Sequence, residues 1–185
     1  MLALPEGLVL YHGSYALVEN IDLNRCAPGK DFGRGFYLTT DYDQARSFVA
    51  LSARKHKADT GEDIQGGYVS SFKVVSPHML QFHAFEDADE DWLHFVAANR
   101  RSDLFPHLLP QYRNRDVIAG KIANDQTART LQLYVSEAFG EPGTDSADRL
   151  AIAALMPNRL SDQYCFRTPK SIRCLAFEGS DYVEE

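Results

Sequence analysis

Residues 30–44 read KDFGRGFYLTTDYDQ, and how they are understood decides how the rest of the chain is understood. A loop punctuated by Gly33 and Gly35 leads into a β-prone segment, Phe36-Tyr37-Leu38-Thr39-Thr40, which meets a helix start at Asp41. Glycines on both sides of Arg34 relax the backbone and let a ligand approach the main chain closely. Side chains alternate along a strand, so Phe36 and Leu38 face one way and Tyr37 and Thr39 the other. A tyrosine on the face away from the core, beside hydroxyls and a bendable loop, suits stacking on a flat ring. Taken alone, the same residues also describe an ordinary strand-to-helix turn with a surface tyrosine.

Working outward, Asp41 is an N-cap for a helix expected to reach about His56, with Ala45, Phe48, Val49 and Ala53 as its apolar stripe. Upstream, residues 7–12 (GLVLYH) form a short strand that is expected to turn at Gly13-Ser14, leaving His12 at its end where a pocket can open. Downstream of the helix come a polar loop (residues 59–67) and a strand (residues 68–75) stopped by Pro77. Residues 87–101 (DADEDWLHFVAANRR) begin acidic and end basic, as the helix dipole prefers. Their stripe is Trp92, Phe95, Val96 and then Asn99, a polar side chain whose unpartnered burial would cost about 1–3 kcal/mol. Asn99 therefore braces a loop or faces a polar pocket. Residues 116–120 (DVIAG) predict a strand, after which Asn124 or Asp125 caps a helix carrying Ala128, Leu131, Val135 and Ala138. A short alanine-rich helix over 146–156, closed by Pro157, follows. Residues 162–168 and 171–177 flank Pro169-Lys170 and predict a hairpin setting Cys165 opposite Cys174. On its first strand Gln163 and Cys165 share a face.

At 185 residues the chain is expected to form a single domain, 1–185, with 44% hydrophobic and 24% charged residues. A formal charge of −7 and pI near 5.3 argue against nonspecific nucleic-acid binding, with Arg100-Arg101 and residues 113–115 as candidates for a local basic patch. No apolar run spans a bilayer and no signal-peptide pattern opens the sequence. Three cysteines without a CxxC pair disfavour a disulfide scaffold and a zinc knuckle, so a reducing cytoplasm fits best. His78 and His83 lack a third ligand nearby, and no metal is expected. Short strands interleaved with helices, without GxGxxG after the first strand, argue for an α+β fold over a doubly wound sheet.

The order of three segments raises a more specific expectation: Leu10-Tyr11-His12-Gly13-Ser14, then Gly33-Arg34-Gly35-Phe36-Tyr37-Leu38-Thr39-Thr40, then Asp162-Gln163-Tyr164-Cys165-Phe166. This order resembles the His-Tyr-Glu class of ADP-ribosyltransferases, the diphtheria-toxin and poly(ADP-ribose) polymerase side of that superfamily. It looks more closely like a bacterial family of small ADP-ribosyltransferase-like proteins often encoded in toxin–antitoxin pairs. That family also carries an FV-x-x-NR segment, here Phe95-Val96-Ala97-Ala98-Asn99-Arg100, and a second segment matching residues 116–125.

The resemblance implies split antiparallel β-sheets with flanking helices and NAD, as substrate, in the cleft. His12 would bond ribose hydroxyls, the backbone of Gly13 would grip the carboxamide beside Ser14, and Tyr37 would stack on the nicotinamide. Thr39 would support the pocket, with Gly35, Asn99 and Asp125 also contacting NAD. Gln163 stands where the superfamily usually has glutamate, so His12, Tyr37 and Gln163 form the expected catalytic set. The chemistry suits these types: cleaving the nicotinamide–ribose bond builds positive charge on the ribose, and positioning plus stabilisation of that charge is the catalytic task. Gln163 accepts a hydrogen bond but brings no charge; Asp125, or else Glu178, is the candidate to supply a carboxylate. The expected function is mono-ADP-ribosyl transfer to a protein or nucleic-acid acceptor by a toxin with a small antitoxin partner. The alternatives are NAD glycohydrolysis and an inactive NAD- or ADP-ribose-binding module.

Overall fold

The strand predicted in the opening stretch is β2, Phe36–Thr39, and it lies in the middle of a seven-stranded sheet. The computed structural model describes residues 1–121, 125–155 and 161–184, without the side chains of residues 125 and 126. The other strands are β1 (Val9–Ser14), β3 (Gly67–Val74), β4 (Phe82–Ala84), β5 (Val117–Lys121), β6 (Asp162–Phe166) and β7 (Leu175–Val183). Their order is β4-β5-β6-β2-β1-β3-β7. With five α-helices alongside among the described residues, the fold is α+β.

Pairing strength is uneven across this sheet. β2 pairs with β6 from Phe36↔Phe166 to Thr39↔Gln163, and β1 with β3 from Val9↔Lys73 to Ser14↔Tyr68. Between β1 and β2 only Tyr11↔Thr39 is in register. The sheet is therefore two halves joined at one pair, and the strands part where His12 and Tyr37 stand. All neighbours are antiparallel except β4 and β5, so the expected antiparallel pattern is broken at one edge.

Alternation along β2 buries Phe36 and Leu38, 6% and 2% exposed, against Leu10, Phe72, Tyr164 and Phe166. The opposite face carries a second core, in which Phe32, Ile118 and Cys165 meet Trp92, Phe95, Leu131 and Tyr134. The latter four come from α2 (Glu90–Arg100) and α3 (Asp125–Val135), which pack with α4 (Asp145–Leu155). Asp148 ties these helices together, accepting from the Tyr134 hydroxyl at 2.5 Å, Gly143 N at 3.1 Å and His94 Nε2 at 2.8 Å. That buried carboxylate is satisfied on both oxygens, and Glu90 stands beside it, its carboxylate within 4.8 Å of the ligand atoms of His94 and Asp148.

Helix α1, Tyr42–Thr60, starts as expected: the Asp41 carboxylate accepts from Gln44 N at 3.1 Å. It runs four residues beyond His56 because its first backbone stop is Gly61, left-handed at φ 79°. Its Ala45, Val49 and Ala53 are buried, with Ala45 and Val49 packing on Val69.

Four expectations are corrected. The strand does not turn at Gly13-Ser14 but continues through both residues. The late hairpin does not form: β6 pairs with β2 and β5, whereas β7 pairs with β3 at the far edge, so Cys165 and Cys174 are not opposite each other. In place of a tight turn, Thr168 and Ser171 make a capping box with Pro169 at the first helical position, starting α5 (Pro169–Ile172). α3 ends at Val135, so Ala138 is not on it. Arg100 and Arg101 are not a free basic patch either: Arg100 pairs with Asp31, and Arg101 with Asp103 and Glu137. Asn124 and Pro157 lie outside the described residues.

Candidate active site

A cavity of about 670 Å³ opens where the two half-sheets part, a volume within the ordinary range for small-molecule sites. From β1 it takes His12, Gly13 and Ser14; from β2 and the loop before it, Gly35, Tyr37 and Thr39; from β6, Gln163. Three segments far apart in the chain thus converge because β1, β2 and β6 are sheet neighbours. Asn99 is not on the wall, and the side chain of Asp125 lies outside the described residues.

His12 Nδ1 lies 2.8 Å from the Tyr37 carbonyl oxygen, and its ring packs on Phe36 at 4.4 Å. A carbonyl only accepts, so Nδ1 carries the hydrogen and Nε2 keeps its lone pair as an acceptor. Burial pushes the His12 pKa below 6.5, partly opposed by the bond to Tyr37. His83 is lowered too, by burial and then by Arg115. Both groups bind protons more readily unfolded than folded, so stability is full above pH 6.5 and is lost as pH falls from there through their lowered values. Melting temperatures between pH 7.5 and 5.5 are expected to decline on acidification, and His12→Ala is expected to flatten that decline.

Tyr37 is clamped at its hydroxyl, which donates to Gly33 O at 2.7 Å and accepts from Phe32 N at 2.9 Å. Burial, foremost, holds its pKa well above the ordinary value, so it remains a neutral phenol. The clamp needs the sharp turn at Gly33, where φ is 79° and an added Cβ would lie 2.9 Å from Asn99 Oδ1. Asn99 also donates from Nδ2 to Phe95 O at 2.9 Å. It braces the loop from behind, and the expectation that it contacts a ligand is corrected accordingly. Arg34 staples the same loop to Asn24 O and Cys26 O. Gly35 has another reason to be glycine: a Cβ there would lie 2.5 Å from Cys165 Sγ and 2.8 Å from Phe166 O, so strand packing demands it. Thr39 donates from Oγ1 to Gln44 Oε1 at 3.0 Å and accepts from Asp41 N at 3.1 Å, fastening β2 to the start of α1.

The carboxylate beside Gln163 is one that residue patterns did not single out. Asp31 lines the cavity, and its Oδ2 is 3.5 Å from Gln163 Nε2. Its Oδ1 takes Arg100 Nε at 2.9 Å and Nη2 at 2.6 Å. Asp31 lies within residues 30–44, but its partners are 69 and 132 residues away, and no local pattern reports that. Glu178 is excluded from this role: it sits on exposed β7, paired with Lys73 at 3.2 Å.

Two further features were not foreseen. Phe48 lines the cavity from α1 instead of joining the buried stripe. Arg25, Lys30 and Lys55 also line it and form no ion pair among the described residues, outnumbering Asp22, the lining carboxylate that is likewise unpaired there, so the lining carries an excess of positive charge on a chain of net charge −7.

The chain belongs to a family described as protein of unknown function (DUF3990), whose model matches residues 8–177. The matched span contains all three converging segments. No curated protein matches the chain.

Proposed function

We propose that this DUF3990 chain is a cytoplasmic mono-ADP-ribosyltransferase that uses NAD as substrate and modifies a protein or nucleic acid. The observation that carries the proposal is the convergence of His12, Tyr37 and Gln163 on one cavity wall. The rest of the wall fits the same substrate. The Tyr37 ring offers a flat support for nicotinamide. Nε2 of neutral His12 accepts from a ribose hydroxyl, Gln163 accepts from another, and Arg25, Lys30 and Lys55 supply positive charge for the diphosphate. No helix among the described residues is long and apolar enough to cross a membrane.

In the reaction the bond between ribose C1′ and the nicotinamide nitrogen breaks, and nicotinamide leaves with the bonding pair. The acceptor's oxygen or nitrogen then bonds to C1′ and its proton is released. The protein's part is to hold the ribose, support the departing ring and exclude competing water. A toxin role and a small antitoxin partner belong to the same proposal and are checked by growth arrest on expression.

Gln163 itself favours a second reading, a module that binds NAD or ADP-ribose without turnover, because an amide stabilises developing positive charge less than a carboxylate does. One experiment separates the outcomes: purified protein is incubated with NAD labelled on the adenylate phosphate and cell lysate. Labelled macromolecules together with free nicotinamide are the expected result. Nicotinamide without macromolecular label would mean that water is the acceptor, and binding without nicotinamide would mean the inactive module. Absence of NAD binding up to millimolar concentration would sink the assignment.

A further inference from the structure

We propose that Asp31 orients the side chain of Gln163, fixing its amide so that the oxygen, Oε1, is presented to the cavity as a hydroxyl acceptor; the identity of that hydroxyl as a ribose hydroxyl rests on the NAD reading above. The two ends of an amide have the same shape, and only the neighbours decide which way it points. Gln163 Nε2 lies 3.3 Å from the Lys121 carbonyl and 3.5 Å from Asp31 Oδ2. Both partners are acceptors. The Lys121 carbonyl also accepts from Trp92 Nε1 at 3.2 Å, and Asp31 is held from its other side by Arg100. The NH₂ end must therefore face them, and Oε1 is left without a partner among the described residues, on a side chain only 5% exposed in the cavity wall. An acceptor that faces the cavity without a protein partner is open to a ligand hydroxyl. The chain Arg100–Asp31–Gln163 thus runs from α2 through the glycine loop to β6.

This arrangement predicts effects opposite to those expected from position 163 alone. Gln163→Glu restores a carboxylate at that position, yet sets it against the Asp31 carboxylate and the Lys121 carbonyl, so NAD binding is expected to weaken about tenfold. In Asp31→Asn, Arg100 claims the new amide oxygen and turns the new NH₂ toward Gln163. Gln163 is then pulled both ways, its Nε2 by the Lys121 carbonyl and its Oε1 by the new NH₂, so the amide is no longer held in one sense and binding again weakens severalfold. Combining Asp31→Asn with Gln163→Glu restores a donor–acceptor pair with its polarity reversed, and is expected to bind NAD more tightly than either single variant, short of wild type because the Lys121 carbonyl still faces the new carboxylate. A side chain that merely stabilised the fold would not be rescued in this way.

The four proteins are compared by calorimetric titration with NAD and by melting temperature. A double variant that binds more tightly than either single variant supports the proposal. A double variant weaker than both, or Gln163→Glu binding at least as tightly as wild type, overturns it. If wild type binds no NAD while the double variant recovers the melting temperature lost in the single variants, the orienting pair stands and the NAD reading falls. If neither binding nor melting is recovered, the pair falls whatever the substrate.

Discussion

Gly13→Ala is expected to lower the melting temperature by about 6–12 °C, the consequence of about 3 kcal/mol lost in a chain of this size. A Cβ at Gly13 would lie 1.8 Å from the Ala45 carbonyl oxygen, 2.8 Å from its carbon and 3.2 Å from Phe48 Cβ. Those first two atoms are backbone of the first turns of α1, so no side-chain rotation relieves the clash. The helix must move off β1, opening the core of Ala45, Val49 and Val69 and displacing Phe48 from the cavity. Gly61→Ala is the matched control. Its φ is 79° with nothing within 4 Å, so only the left-handed backbone is penalised, by about 1–2 kcal/mol. Differential scanning calorimetry on both variants decides: equal shifts would mean that α1 does not press on β1 as described. The result also bears on function. A loss of activity in Gly13→Ala would report the helix contact, so it says nothing about a grip on a carboxamide.

What was legible in the sequence was local. Alternation along residues 36–39 put Phe36 and Leu38 on one face and Tyr37 on the other, because a strand's period of two needs no tertiary information, but it set Tyr37 away from the core, whereas that face carries a core of its own. The caps Asp41 and the acidic start of α2 were likewise readable from neighbours a few residues apart. The late hairpin failed for the complementary reason. Thr168-Pro169 announces a helix start as strongly as Pro169-Lys170 announces a turn, and the sheet decides between them by sending β6 to its middle and β7 to its edge. The site shows the same division. His12, Tyr37 and Gln163 were singled out through the order of short motifs, and they line one cavity. Asp31 was not, because its role exists only once Arg100 and Gln163 have been brought to it by α2 and β6. Asn99 was correctly suspected as a misplaced polar residue on an apolar stripe, but only the packed glycine loop tells a brace from a ligand contact.

His12→Ala is expected to reduce kcat/KM for nicotinamide release from NAD about a hundredfold, equivalent to about 2.7 kcal/mol of transition-state stabilisation. Two losses combine. The cavity loses the Nε2 acceptor for a ribose hydroxyl, and the Tyr37 carbonyl loses the Nδ1–H that fixes strand β1 against β2 where register pairing is thinnest. pH separates these contributions. In wild type the acceptor exists only while His12 is neutral, and burial keeps it neutral to below pH 6.5. Turnover is therefore expected to hold above pH 6.5 and to fall as acidification protonates Nε2, which converts the acceptor into a donor. The strand contact is made from Nδ1, which carries its hydrogen in both forms and does not titrate in that window. His12→Ala should thus be slow and flat across the same range, while His12→Gln, which keeps a donor and an acceptor, should recover part of the rate and also be flat. A wild-type profile with no acid limb, or an alanine variant that keeps one, would remove His12 Nε2 from the contacts made with NAD and leave it as a bolt between two strands.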